Sequence, residues 1–132
     1  MKKFLEKKLA IISRRIIRKY KPLIIGITGS VGKTSTREAV FAVISKKYNT
    51  RQPEKNYNNE IGLPLTIIGA HHPGRNIFGW IGILWRGFWL SLFTDNDYPK
   101  VLVLEYGVDR PGDMSHLLSI AKPNITVVTA LG

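Results

Sequence analysis

Within residues 27–38, ITGSVGKTSTRE, Gly29 and Gly32 precede Lys33 and Thr34, between an apolar run and a run with helical spacing. A strand, a tight glycine turn and a helix in succession aim backbone N–H groups at one point, and the helix N-terminus adds partial positive charge there. The chemistry this suits is phosphate binding. Glycine lets the backbone approach phosphate oxygens that a side chain would block. Lys33 can reach the β- and γ-phosphates, and the Thr34 hydroxyl is the expected magnesium ligand. The longer form of this motif needs glycine at position 27, where Ile27 stands. The match is therefore to the shorter form Gly29-Ser30-Val31-Gly32-Lys33-Thr34. The competing reading is a glycine turn that only caps a helix, with Lys33 exposed.

Glu105 is the second candidate. It ends the apolar run KVLVLEYG, residues 100–107, and a buried carboxylate needs a partner because an unpaired buried charge is costly. A magnesium ion bridging nucleotide phosphates would serve; so would a salt bridge to Arg110 or a nearby lysine.

The elements that must position these residues read as α/β. LIIGIT (23–28) has the β-branched character of a strand buried on both faces. From Lys33 to about Lys47, Ala39, Val40, Val43 and Ile44 make a helical stripe, and the polar residues 49–60 read as a loop. IGLPLTIIGA is either a short helix or a strand. KVLVLEYG is a strand, MSHLLSIAK a helix, and NITVVTALG (124–132) a third buried strand. Alternation of this kind predicts a P-loop-type, mainly parallel sheet flanked by helices. Ligands bind at the carboxyl ends of such strands, and Thr28, Glu105 and Thr129 all fall there.

Of the formal charge of +11, +8 lies in residues 1–22, which hold nine Lys or Arg against Glu6 alone. The charge belongs to an arm, and the other 110 residues carry only +3. In that arm Leu5, Leu9, Ile12, Ile16 and Tyr20 recur at steps of three and four, so it reads as a basic amphipathic helix ended by Pro22. Its stripe can lie on the domain or on an anionic bilayer surface. No base-reading motif accompanies the charge, so nucleic acid is a poor partner. Residues 76–93, NIFGWIGILWRGFWLSLF, hold all three tryptophans but are short for a membrane span. They suit a hairpin or helix packed on this domain or against a further one, or an interfacial segment with tryptophan at headgroup depth. With no cysteine, thiolate metal sites, disulfides and thiol catalysis are excluded, which fits a reducing cytoplasm.

Taken together, GITGSVGKTSTRE, then NYNNEIGLPLT, then VLVLEYGVDRPGDMSHLLSIAKPNITVVTALG resemble the central ATPase domain of the Mur ligases. The likeness covers residues 23–132 apart from an apolar insertion at about 71–97. Asn-Asn-Glu-Ile-Gly with Pro64 is most similar to the branch that adds D-alanyl-D-alanine to UDP-muramoyl peptides in peptidoglycan synthesis. The resemblance implies an ADP-forming, acid–amino-acid ligase of the cytoplasm, working through an acyl phosphate with ATP and magnesium. Carried over, Gly29, Ser30, Val31, Gly32, Lys33, Thr34 and Ser35 cradle the triphosphate, Thr34 and Glu105 sit at the first magnesium, and Lys33 offsets phosphoryl charge. Asn58 and Asn59 lie near the γ-phosphate and the acceptor; the competing reading makes them loop asparagines that satisfy local backbone groups.

Three departures qualify the likeness. Only a basic helix precedes the first strand, where the family has a UDP-sugar domain. Arg110 stands where the family has histidine, and His71, His72 and His116 do not match the family's later magnesium-ligand histidine. The family also continues past the residues matching Leu131-Gly132 with a His magnesium ligand, a carbamylated lysine, adenine contacts and a C-terminal domain. The expectation is therefore a fragment or split subunit, not competent alone and needing the remaining C-terminal part. The alternatives are a Mur-like ligase for another carboxylic acid and a nucleotide-binding module without ligase chemistry, peripheral at the inner face of the membrane through residues 1–22 and 76–93.

Overall fold

In the computed structural model, residues 2–54, 57–108 and 111–130 are described. The elements are α1 (Lys2–Tyr20), β1 (Leu23–Thr28), α2 (Lys33–Ile44), β2 (Thr50–Arg51), α3 (Gly62–Ile68), α4 (Ile77–Leu92), β3 (Val101–Glu105), α5 (Asp113–Ile120) and β4 (Ile125–Val128). The sheet order is β2-β3-β1-β4 and every pairing is parallel. The fold is α/β, a parallel sheet flanked by helices and preceded by the basic helix.

Register explains which side chains meet. β1 pairs with β3 from Leu23↔Val101 to Ile27↔Glu105, and with β4 from Ile25↔Ile125 to Thr28↔Val128. Side chains alternate across a strand, so β1 and β3 each feed two cores. Ile25, Ile27, Val101 and Val103 face Val40 and Ile44 of α2. Ile24, Leu102 and Leu104 face the other way, into a larger core with Leu9 and Ile16 of α1, Leu63, Leu65, Ile67 and Ile68 of α3, Leu90 of α4 and Leu117 of α5. Glu105 continues the odd-numbered series of β3 and so points to the α2 side.

The ambiguous IGLPLTIIGA segment is helix α3, and all seven of its residues are buried. Pro64 stands in its first turn, where a missing N–H costs little. Arg51 Nη1 donates to Thr66 O and Ile67 O at 3.0 and 3.1 Å, satisfying carbonyls at the end of that helix. Burial holds the Arg51 guanidinium below its ordinary pKa.

Three expectations need correction. NITVVTALG is not a buried strand: β4 is an edge strand with Ile125 and Val128 exposed, because it pairs only with β1; Leu131 and Gly132 lie outside the described residues. On α2 the buried stripe is Arg37, Val40 and Ile44, while Ala39 and Val43 face solvent. The 49–60 loop contains the two-residue strand β2. The stripe of α1, by contrast, lies as one alternative had it: Leu9 and Ile16 are buried and Leu5, Ile12 and Tyr20 pack beside them. That stripe is occupied by protein and is not open to a bilayer.

Candidate functional site

The turn between β1 and α2 is built by two glycines with positive φ, Gly29 at 132° and Gly32 at 83°. A Cβ on Gly29 would collide with the Thr129 hydroxyl. The close approach that glycine permits is therefore to the segment after β4, where Thr129 N donates to Thr28 O at 2.8 Å. Gly32 caps α2, its carbonyl accepting from Thr36 N at 3.0 Å. The amides of Lys33, Thr34 and Ser35 are first-turn donors with no carbonyl one turn back to receive them.

Above this turn lies an open cavity of about 400 Å³ lined by Ser30, Gly32, Lys33, Thr34, Ser35, Asn58 and Glu105. It joins three stretches far apart in sequence at the carboxyl end of the sheet, where parallel α/β folds hold ligands. Lys33 makes no ion pair with any described residue. A lysine, a helix N-terminus and three hydroxyl residues lining one cavity suit a polyanion.

Not every predicted donor faces this cavity. The amides of Ser30 and Val31 donate to Ala130 O at 3.1 and 3.2 Å, forming an isolated antiparallel bridge. Val31 is exposed and, like Gly29, does not line the cavity. The donors left for an anion are those from Gly32 onward.

Glu105 is buried, and its partner is Arg37: Nη1 lies 3.0 Å from Oε2, with both side chains at most 5% exposed. The alternative partner Arg110 lies outside the described residues. Arg37 went unremarked in the sequence although the signal was present. Lys33, Arg37, Val40 and Ile44 follow i, i+4, i+7, i+11 spacing, one face of a helix. A cation on the stripe that buries Val40 and Ile44 must meet an anion, and Glu105 ends the strand beneath it. Behind Glu105, burial raises the Tyr106 phenol above its ordinary pKa; it stays a neutral donor to Ala121 O at 2.6 Å.

The two asparagines have different surroundings. Asn58 lines the cavity, its carbonyl accepts from Gly107 N at 2.8 Å, and its side chain packs over Gly107 where a Cβ would otherwise stand. Asn59 Oδ1 accepts from Ile61 N and Gly62 N at 3.1 and 2.8 Å, closing the start of α3. Its side chain is taken up by backbone amides and does not line this cavity. His71 pairs with Glu54 at the surface, away from the site.

The family model for the Mur ligase middle domain matches residues 27–77, which include the glycine turn, α2 and both asparagines. The chain carries Mur ligase middle-domain sequence. Curated relatives include the UDP-N-acetylmuramoyl-tripeptide--D-alanyl-D-alanine ligases of Synechocystis sp. and Bacillus subtilis, 36% and 29% identical over 109 residues. Those alignments cover 83% of this chain, which spans 18% of the length of either relative. Among solved structures, the MurF ligase of Thermotoga maritima in complex with ADP is 29% identical with a TM-score of 0.69, covering 96% of this chain and 24% of that one. The corresponding Acinetobacter baumannii ligase, at 21% identity and a TM-score of 0.64, shares the fold. This Mur ligase segment thus keeps the fold of those enzymes across nearly all of its length.

Proposed function

We propose that the cavity over Gly29–Ser35 is the nucleotide site of an ATP-dependent, ADP-forming ligase that joins an acid to an amine in peptidoglycan precursor synthesis. The observation that carries the reading is the convergence of Lys33, Thr34 and Ser35 with Asn58 and Glu105 on one cavity. Similarity to a ligase crystallised with ADP supports it. The names of the curated relatives point to a UDP-muramoyl tripeptide and D-alanyl-D-alanine as the acid and amine. Residues 23–132, with the 71–97 insertion, would form the nucleotide-binding unit, and α1 its helical cover.

In this reading the first-turn amides of α2 and the Lys33 ammonium hold the β- and γ-phosphates. As phosphoryl transfers to the acid's carboxylate and ADP leaves, Lys33 offsets charge on the moving group. The amine then attacks the acyl carbon and phosphate leaves. Hard oxygen donors suit magnesium, which usually takes only one or two protein groups beside substrate phosphates and water. Thr34 and Glu105 fit that demand, since both carry oxygen donors and line the cavity. Bound there, magnesium would neutralise phosphate charge. Asn58 lies toward the acceptor side, and Asn59 supports the site through the start of α3.

Titration of the chain with MgATP, followed by calorimetry, tests the reading. Binding is expected for the native chain and not for Lys33→Ala, whose melting temperature should stay the same because Lys33 has no ion pair to lose. Equal MgATP affinity in Lys33→Ala would overturn the assignment.

A further inference from the structure

Helix α4 carries a single charged side chain, Arg86, yet buries only one side. Ile83, Gly87 and Leu90 are buried, with Gly87 set against Ile12 of α1. The opposite side is open: Phe78 is 83% exposed and Trp85 60%, and Ile81, Phe88, Trp89 and Leu92 are also exposed. At 100° per residue these six fall within about 100° of arc, one continuous face. Their rings run on along the helix, Trp85 stacking near Phe88 and meeting Trp89 edge-on, and Trp89 stacking on Phe93. A contiguous exposed apolar patch of this kind marks a binding surface.

The chemistry beside the patch selects its occupant. Ile12 abuts Gly87, and Lys19 Nζ donates to Leu90 O at 2.9 Å, so positions 12 and 19 define the flank of α1 that adjoins α4. Helical spacing puts Lys8 and Arg15 on that same flank, at i−4 and i+3 from Ile12, and both are exposed. A row of cations therefore runs along the seam between α1 and α4. The acids that follow α4, Asp95 and Asp97, sit in a turn drawn toward α1 by the Asp95 N–H to Tyr20 Oη, 3.1 Å. The face itself offers no hydrogen-bonding side-chain group but indole N–H, which suits headgroup depth. At 16 residues α4 is about 24 Å long, and among the described residues no helix is long and apolar enough to cross a membrane.

We infer that the outer face of α4 lies in the interface of an anionic lipid bilayer, parallel to its surface, with Lys8, Arg15 and Lys19 on lipid phosphates. This is the geometry of an interfacial amphipathic segment whose polar side is replaced by the protein itself. It is independent of the nucleotide site, because none of these residues lines that cavity.

Co-sedimentation of the chain with vesicles of phosphatidylcholine plus phosphatidylglycerol, against phosphatidylcholine alone, tests it. Binding is expected to the mixed vesicles, with a blue shift of tryptophan emission, and to fall with added salt. The doubly substituted Trp85→Ser/Trp89→Ser chain should lose binding while keeping its melting temperature and MgATP affinity, since both side chains are exposed. Lys8→Gln/Arg15→Gln should weaken partitioning about 25-fold, near fivefold for each cation. Equal binding to neutral vesicles, or no binding to either, overturns the proposal. So does a self-association in solution, seen by analytical ultracentrifugation, that Trp85→Ser/Trp89→Ser abolishes while vesicle binding is absent; the occupant would then be a second copy.

Discussion

The Arg37–Glu105 pair allows structure and function to be separated by one set of variants. Both groups are withdrawn from water and 3.0 Å apart. Removing Arg37 takes this counter-charge from the buried Glu105 carboxylate, at a cost of about 3–5 kcal/mol. Arg37→Met should therefore destabilise strongly even though Arg37 does not itself line the cavity. For a domain of this size the unfolding entropy is about 0.3 kcal/mol per degree, so the melting temperature should fall by about 10–18 °C. Glu105→Met should fall by less, since Arg37 also lies 3.9 Å from Glu38. The double variant, Arg37→Met/Glu105→Met, removes both charges together and should recover most of the loss, since replacing a buried pair by apolar side chains is often neutral or stabilising. Differential scanning calorimetry of the four proteins gives the coupling energy directly. MgATP titration of the recovered double variant then isolates the carboxylate's other role: affinity should remain low, because the stability is restored and the cavity-lining carboxylate is not. Two results refute the reasoning. Additive losses in the double variant would mean the pair is not coupled. Native MgATP affinity in the double variant would mean Glu105 serves only the fold.

Other expectations follow from the same geometry. Gly29→Ala should lose more than about 2 kcal/mol in a thermal melt, because φ is 132° and the new Cβ meets Thr129; native stability would show that the turn can relax. Gly107→Ala puts a Cβ 2.6 Å from Asn58 Cγ; since that side chain can swing, stability should fall by only about 1 kcal/mol while MgATP affinity or turnover changes, read by titration and phosphate release. Asn59→Ala should cost about 1 kcal/mol through the lost amide acceptor of α3 and leave nucleotide affinity as it is; a large affinity loss at unchanged stability would instead place Asn59 at the substrate.

What was legible in the sequence was what depends on local period and local turn chemistry. LIIGIT and KVLVLEYG have too many β-branched residues in too short a run to be helices, and GSVGKT between strand and helix admits few conformations. What was not legible depended on which neighbour an element acquires. NITVVTALG has the same composition as the buried strands, yet β4 is exposed because it ends the sheet; composition carries no information about sheet order. IGLPLTIIGA is apolar at nearly every position, so neither period could show, and burial on all sides by α1, α4 and the sheet decided for a helix. The Ser30 and Val31 amides were expected to face an anion, and the chain after β4 returned to take them, a contact across about a hundred residues that no local rule predicts.

Arg37 is the instructive case, because it was legible and was still passed over. A stripe scored by its apolar members alone, Val40 and Ile44, leaves out the charged residue that shares their face. Such a residue is forced into the interior by its neighbours and must be met by a counter-charge at the same depth. Here the i−3 position from Val40 gives its height on α2, and the alternation of β3 gives the side on which Glu105 emerges. The two constraints intersect at the carboxyl end of the sheet. A buried cation at the first turns of a helix after a glycine loop thus predicts where the neighbouring strand must end in an acid, and it places that acid next to the phosphate-facing turn before any coordinates are known.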